Sequence, residues 1–202
     1  MAKADLILCE DTRVTRKLLS HHKILAKPLY RIKEFNPKSL ESLLKLIEGK
    51  TAALVCDSGT PALSDPGAKL VGLAQGRITP IPGPSSVTAA LSVSGLGRDG
   101  FVFLGFLAKS KAKKERELKK ALELRRAVVF FESPYRILKT LHLLEEIAPL
   151  ARCVLGRELT KIYEEILRGT PEEIRQKLAN RQKILGEITV VVESSKKTQN
   201  GI

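Results

Sequence analysis

The sequence predicts an α/β fold built as two α/β domains, and three observations carry that expectation. Short apolar runs alternate with segments whose apolar residues recur at helical spacing, the pattern of strands and helices taking turns along a chain. Four times a capping residue stands directly before a proline, each marking a helix start between those runs. The stretch Ser94-Gly95-Leu96-Gly97-Arg98-Asp99-Gly100, with three glycines, divides the 202 residues into halves of similar size. The expected organisation is therefore an N-terminal domain over 1–97, a C-terminal domain over 98–193, and a polar, frayed tail over 194–202.

In chain order, the apolar runs at 5–9, 51–56, 101–105, 127–131, 152–156, 163–168 and 187–193 read as strands. Between them Leu40, Leu43, Leu44 and Ile47 fall at i, i+3, i+4, i+7 and define one helix face. Leu118, Ala121 and Leu122 do the same, as do Ile137, Leu141 and Leu144. The helix starts are Asn36-Pro37, Asp65-Pro66, Ser133-Pro134 and Thr170-Pro171. In each, the cap side chain takes an orphan N–H, and a proline at the first helical position forfeits no hydrogen bond. Thr170 and Glu173 also have the spacing of a capping box.

Composition narrows the class. Hydrophobic residues make up 43% of the chain but aromatics only 4%, with no Trp, so Leu, Ile, Val and Ala must build the core. No run of about 18 apolar residues occurs, which excludes a membrane-spanning helix, and the start does not resemble a secretory signal. A cytoplasmic protein is expected. Cys9, Cys56 and Cys153 are scattered through apolar runs without a Cys-x-x-Cys, so they read as buried free thiols. His21 and His22 are adjacent, not four apart, so they do not share a helix face as metal ligands would, and no metal is expected. Thirty-five Lys and Arg against 22 Asp and Glu give a net charge of +13. A field of that sign favours RNA or DNA as partner, although many surface lysines alone would produce it too.

Five polar clusters are each expected at a strand's carboxyl end, where ligands bind in α/β sheets, and their split between the two halves points to one cleft between two α/β domains. Glu10-Asp11-Thr12-Arg13 follows the first strand. The loop from Asp57-Ser58-Gly59-Thr60-Pro61 to Pro66-Gly67 follows the second, and also reads as a tight strand-to-helix turn. Pro80-Ile81-Pro82-Gly83-Pro84-Ser85-Ser86 is a rigid segment taken as another strand-to-helix transition. Glu132-Ser133-Pro134-Tyr135-Arg136 and Arg157-Glu158-Leu159-Thr160-Lys161 close the set.

Taken together, these motifs are specific. Cys-Glu-Asp-Thr-Arg at 9–13, Asp-Ser-Gly-Thr-Pro at 57–61, Pro-Ile-Pro-Gly-Pro-Ser at 80–85, Phe-Glu-Ser-Pro-Tyr-Arg at 131–136 and Arg-Glu-Leu-Thr-Lys at 157–161 resemble, in order, those of one family. Tyr163-Glu164-Glu165, Gly169-Thr170 and Gly186-Glu187-Ile188-Thr189-Val190 extend the match. The chain resembles the tetrapyrrole (corrin/porphyrin) methylase superfamily and, within it, the 16S rRNA cytidine-2′-O-methyltransferases. That resemblance implies a donor, S-adenosylmethionine, in a cleft between two α/β domains. Gly59, Thr60, Pro61, Ser85 and Ser86 would line it from the first half, and Glu132, Thr160, Gly186 and Glu187 from the second. It also implies a homodimer, no metal, and methylation of a cytidine ribose of 16S rRNA on the assembled small ribosomal subunit.

For such a reaction the candidate bases are Glu10, Asp11 and Glu132, each of which could instead be the structural partner of a nearby arginine. RNA contacts are expected from Arg13, Arg16, Lys109, Lys111, Lys113, Lys114 and Arg136. The charged run from residue 109 to 120 also reads as a solvated helix face, because Glu115 and Glu117 interleave with its cations. Methylation of a small tetrapyrrole, or a non-catalytic basic module binding rRNA, are the competing functions. Against the family's pattern, the sequence lacks an opening strand and its glycine loop, lacks a small C-terminal extension, and is short near residues 74–79. The expectation that follows is a folded chain, dimeric, with weak donor binding and little turnover.

Overall fold

The computed structural model describes residues 1–33 and 36–194, and the chain divides into two compact units, Met1–Ser85 and Ser86–Ile202. The expected tail from residue 195 on lies outside the described residues.

The first unit contains β1 (Leu6–Cys9), α1 (Thr12–His21), β2 (Leu29–Arg31), α2 (Pro37–Ile47), β3 (Ala52–Val55) and α3 (Ala68–Leu73). Its sheet is all parallel in the order β2-β1-β3. The central strand, Leu-Ile-Leu-Cys, is buried at every position because both its faces are covered. Leu6 and Leu8 pack with Leu40, Leu43 and Leu70, while Ile7 and Cys9 point the other way onto Leu19. β3 is half-buried throughout. Asn36 caps α2 as its Asn-Pro signature demands, accepting the Ser39 N–H at 3.2 Å.

Two expectations for this unit are corrected. Asp65-Pro66 does not start a helix: α3 begins at Ala68 behind Gly67, whose φ of 127° only glycine adopts comfortably. No strand precedes residue 80, so 80–86 is a coil-to-helix transition. Pro80, Pro82 and Pro84 can donate nothing to a ladder, and Ile78 and Ile81 stay exposed.

The second unit runs α4 (Ser86–Ser94), β4 (Phe101–Phe106), α5 (Lys111–Leu122), β5 (Ala127–Glu132), α6 (Ile137–Ile147), β6 (Arg152–Arg157), β7 (Glu165–Gly169), α7 (Pro171–Ala179) and β8 (Ile188–Glu193). Its sheet has the order β4-β5-β8-β6-β7, parallel between β4 and β5 and antiparallel elsewhere. Leu118, Phe130, Ile137, Leu141, Leu144, Leu155, Ile174 and Leu178 fill one face of the sheet and are almost wholly inaccessible. Val87 and Ala90 of α4 pack with Val129, Val154 and Val191, so the helix belongs to this unit and the division falls at Ser85/Ser86. The glycine-rich stretch after α4 is a fastened turn within the unit: Gly97 donates its N–H to Glu193 at 3.1 Å, and Leu96 donates to Ser94 Oγ at 2.9 Å.

Thr170 heads α7 with a complete capping box. At Ser133-Pro134 a turn forms first, Tyr135 donating its N–H to Ser133 Oγ at 3.3 Å, and α6 follows from Ile137. All three cysteines are free; Cys9 and Cys153 are buried, one in each unit, and Cys56 is half-buried. No described helix is long and apolar enough to cross a membrane.

Candidate active site

In the first unit the carboxyl ends of β1 and β3 lie side by side, because the two strands pair in register from Leu6↔Ala52 to Cys9↔Val55. The residues that follow therefore meet, and Asp57 donates its N–H to Glu10 Oε2 at 3.4 Å. Burial pushes the Glu10 carboxyl up from its ordinary value, and the charges of Asp57 and Asp65 add to that push against the Asp57 N–H bond. Asp11 behaves in the opposite way. It caps α1 through the Arg13 N–H and holds the Arg13 guanidinium at 2.6 Å, which keeps its carboxyl well below the usual range. Asp11 and Arg13 thus satisfy each other, whereas Glu10 makes no ion pair with any described residue. Arg16 is exposed on α1. The Cys56 thiol is pushed up to about 12 by burial and by Asp65, so it is no nucleophile at neutral pH.

The loop after β3 turns through three left-handed residues, Gly59, Ala62 and Ser64. Thr60 Oγ1 donates to the Pro84 carbonyl at 3.2 Å, which joins this loop to the proline-rich segment. A Cβ built on Gly59 would meet nothing within 4 Å, so open space lies against its backbone. Pro61 and Ser85 are half-buried beside these exposed residues, and Ser86 opens α4 of the next unit. Two fastened loops with free space at a glycine suit a small polar ligand.

In the second unit the expected site residues bind one another. Glu132, at the end of β5, is 2% exposed. Its Oε1 accepts from the Ser133 N–H at 2.7 Å and pairs with Arg136 at 2.6 Å. Its Oε2 accepts from Lys114 Nζ at 2.9 Å and Thr140 Oγ1 at 2.7 Å. With both oxygens engaged, Glu132 is an anchor and not an available base. Lys114, expected to reach RNA, is 6% exposed and turned inward onto Glu132 and Thr140. The signal was present in the sequence, since Lys114 lies four residues before Leu118, on the apolar face of its helix. Lys109, Lys111 and Lys113 are exposed, though Lys111 pairs with Glu146 at 3.0 Å.

Thr160 and Glu158 hold left-handed backbone in the turn after β6, and Thr160 donates its N–H to Glu164 at 2.6 Å. Gly186 is confined by Glu158, whose Cγ would stand 2.4 Å from an added Cβ. The Glu187 N–H donates to Glu158 Oε1 at 2.8 Å, and Lys161 bridges both carboxylates at 3.0 Å. The space beside Gly186 is thus taken by the protein itself.

Residues 1–175 match the tetrapyrrole (corrin/porphyrin) methylases. The ribosomal RNA small subunit methyltransferase I of Leptospira biflexa is 36% identical over all of this chain and 85% of its own length. That of Thermotoga maritima is 41% identical over 95% of this chain and 87% of its own. A uroporphyrin-III C-methyl transferase from Thermus thermophilus, solved with S-adenyl homocysteine, shares the fold with a TM-score of 0.59 at 15% identity, covering 94% of this chain and 85% of its own. The chain belongs to the tetrapyrrole (corrin/porphyrin) methylases, in their ribosomal RNA small subunit methyltransferase I branch. It is an S-adenosylmethionine-dependent methyltransferase.

Proposed function

We propose that this enzyme methylates ribosomal RNA of the small subunit, and that the acceptor is the 2′-hydroxyl of a cytidine ribose. The observation that carries the reading is the match, over 95–100% of this chain, with relatives named for small-subunit rRNA. The charge of +13 supports a polyanionic substrate. The same reading takes the assembled small subunit as partner and the chain as a cytoplasmic homodimer that needs no metal.

When bound, the donor supplies a methyl group on a sulfonium, already an excellent leaving group. Gly59, Thr60, Pro61 and Ser85 are the residues that would hold it in the first unit. The open space at Gly59 and the Thr60–Pro84 bond support that assignment. What remains for the protein is to bring the hydroxyl in line and to draw off its proton, effects worth about 10²–10⁴-fold for the base and more for positioning. Glu10 is the base this reading favours, because Asp11 and Glu132 are committed to other partners. Burial raises its pKa, which makes the carboxylate a stronger proton acceptor than an exposed glutamate.

The test uses small ribosomal subunits, the enzyme and labelled donor, followed by alkaline hydrolysis of the RNA. Methylation of a 2′-hydroxyl removes the internal nucleophile, so one phosphodiester bond should become alkali-resistant. Label on a base carbon or nitrogen would overturn the ribose assignment. Calorimetry of the donor should show one site per chain, weakened at least about tenfold by Gly59→Val, since the added side chain fills the open space beside the backbone.

A further inference from the structure

At the carboxyl ends of β4 and β5 the second unit exposes two aromatic side chains that its core does not use. Phe106, the last residue of β4, is 59% exposed, and Tyr135, in the turn after β5, is 80% exposed. Their two segments are tied together. Phe106 pairs with Phe131 after a shift in register between Phe103 and Phe106, and their rings meet edge to face at 5.4 Å. Arg136 then ties the Tyr135 turn to the residue after Phe106, donating from Nη1 to the Leu107 carbonyl at 3.3 Å while pairing with Glu132 at 2.6 Å. Ala108 donates its N–H to Glu117 at 3.2 Å, which fixes the loop into α5. Lys109 and Lys113 lie exposed in this loop and first turn with no ion pair to any described residue.

Exposed rings on a fastened backbone beside unpaired cations are the combination that grips an unstacked nucleotide. The rings take the base face, and the ammonium groups take the flanking phosphates. Elsewhere in the unit, exposed Ile162 and Tyr163 sit in a turn whose cation, Lys161, is already paired with Glu158 and Glu187 and is not left for a phosphate. We propose that Tyr135 and Phe106 form a stacking platform for a single-stranded nucleotide of the RNA substrate, with Lys109 and Lys113 on its phosphates. The proposal rests on the rRNA reading above and goes beyond it: the substrate nucleotide, or its neighbour, is drawn out of its helix and stacked on protein. A ribose hydroxyl in a stacked A-form helix would otherwise have to be approached with its base still paired.

The experiment titrates the 202-residue chain into a short single-stranded oligoribonucleotide carrying one 2-aminopurine, whose emission is quenched when the base stacks on a ring. The wild-type chain should bind and quench. Tyr135→Ala should weaken binding about 5- to 150-fold and lose the quench, the range for one base stacked on an aromatic side chain. Tyr135→Phe should keep both, because stacking needs the ring and not the hydroxyl. Lys109→Ala with Lys113→Ala should weaken binding, flatten its salt dependence and leave the quench at saturation intact. Tyr135 is exposed, so the unfolding midpoint of its variants should not move. Binding without quench, or a Tyr135→Ala chain that binds and quenches like wild type, overturns the platform alone. A wild-type chain that binds no RNA overturns the rRNA reading and the platform with it.

Discussion

The two units bury their sheets to different depths, and the difference divides the labour of the molecule. In the second unit β8 lies inside a five-stranded sheet, and Val190, Val191 and Val192 have no accessible surface. Two of its carboxylates are neutralised in place: Glu132 by Lys114 and Arg136, and Glu165 by Arg157 and Arg181. In the first unit only β1 is fully buried, β3 is half-exposed, and the segments after the strands are coil turning through left-handed residues. One unit thus spends its sequence on a deeply buried sheet. The other spends it on loops with space beside them. Low-stability loops positioned on a scaffold are where small ligands are held.

The comparison can be broken first at the core. Phe130→Ala should cost about 3–5 kcal/mol in urea unfolding, because a fully enclosed ring leaves a cavity that β5 and β8 cannot close. An equal loss from an alanine substitution in the first unit's β3 would show that the two sheets are alike. Next comes the buried ion cluster. Glu132→Leu strands the Lys114 ammonium and should cost about 3–5 kcal/mol, with much of it regained in the double variant Glu132→Leu, Lys114→Met. If Glu132→Leu were fully stable yet inactive, Glu132 would act on the reaction and not on the fold.

Acid titration sharpens the contrast further. The Arg181 and Arg157 guanidinium groups hold the Glu165 carboxyl down at about 2, against an ordinary 4.5. A depressed carboxyl stabilises the fold above its unfolded pKa and loses that contribution as the carboxylate protonates. Stability should therefore fall from about pH 5 towards pH 2, by at most about 3 kcal/mol and nearer 2 after solvent screening. Glu165→Gln should remove that slope, and an unchanged pH profile would mean the pair is solvent-screened. The smallest effect belongs to the half-exposed strand, where Leu54→Ala should cost about 1 kcal/mol in the same urea assay.

Among the described residues seven of the eight strands were legible in the sequence, most of them because a buried strand needs a continuous apolar run. β2 escaped since three residues, two of them exposed, leave no pattern. Helix caps were legible where the cap bond is local, as at Asn36 and Thr170. Asp65 misled because its side chain engages Cys56, a residue nine positions away in sequence. The unit boundary was displaced by a similar cause: glycines mark where a chain can turn, and only the packing of Val87 and Ala90 tells which unit owns α4. At the candidate site, the motifs could be read from the sequence but the pairings of their side chains could not. Whether Glu132 or Glu10 is committed to a cation depends on side chains up to 18 residues away, and Phe106 and Tyr135 carry no mark in the sequence that they remain outside the core.

The buried thiols give each unit its own clock. Cys9 sits in β1 of the first unit and Cys153 in β6 of the second, both enclosed and both with thiols pushed up by burial, that of Cys153 to about 12. A thiol reagent can reach neither until its strand comes free. Peptide mapping of the labelled positions over time would then read two opening rates from one sample, without a tag or an engineered residue. The earlier label should fall on Cys9, and the lag before Cys153 measures how much longer the five-stranded unit lives.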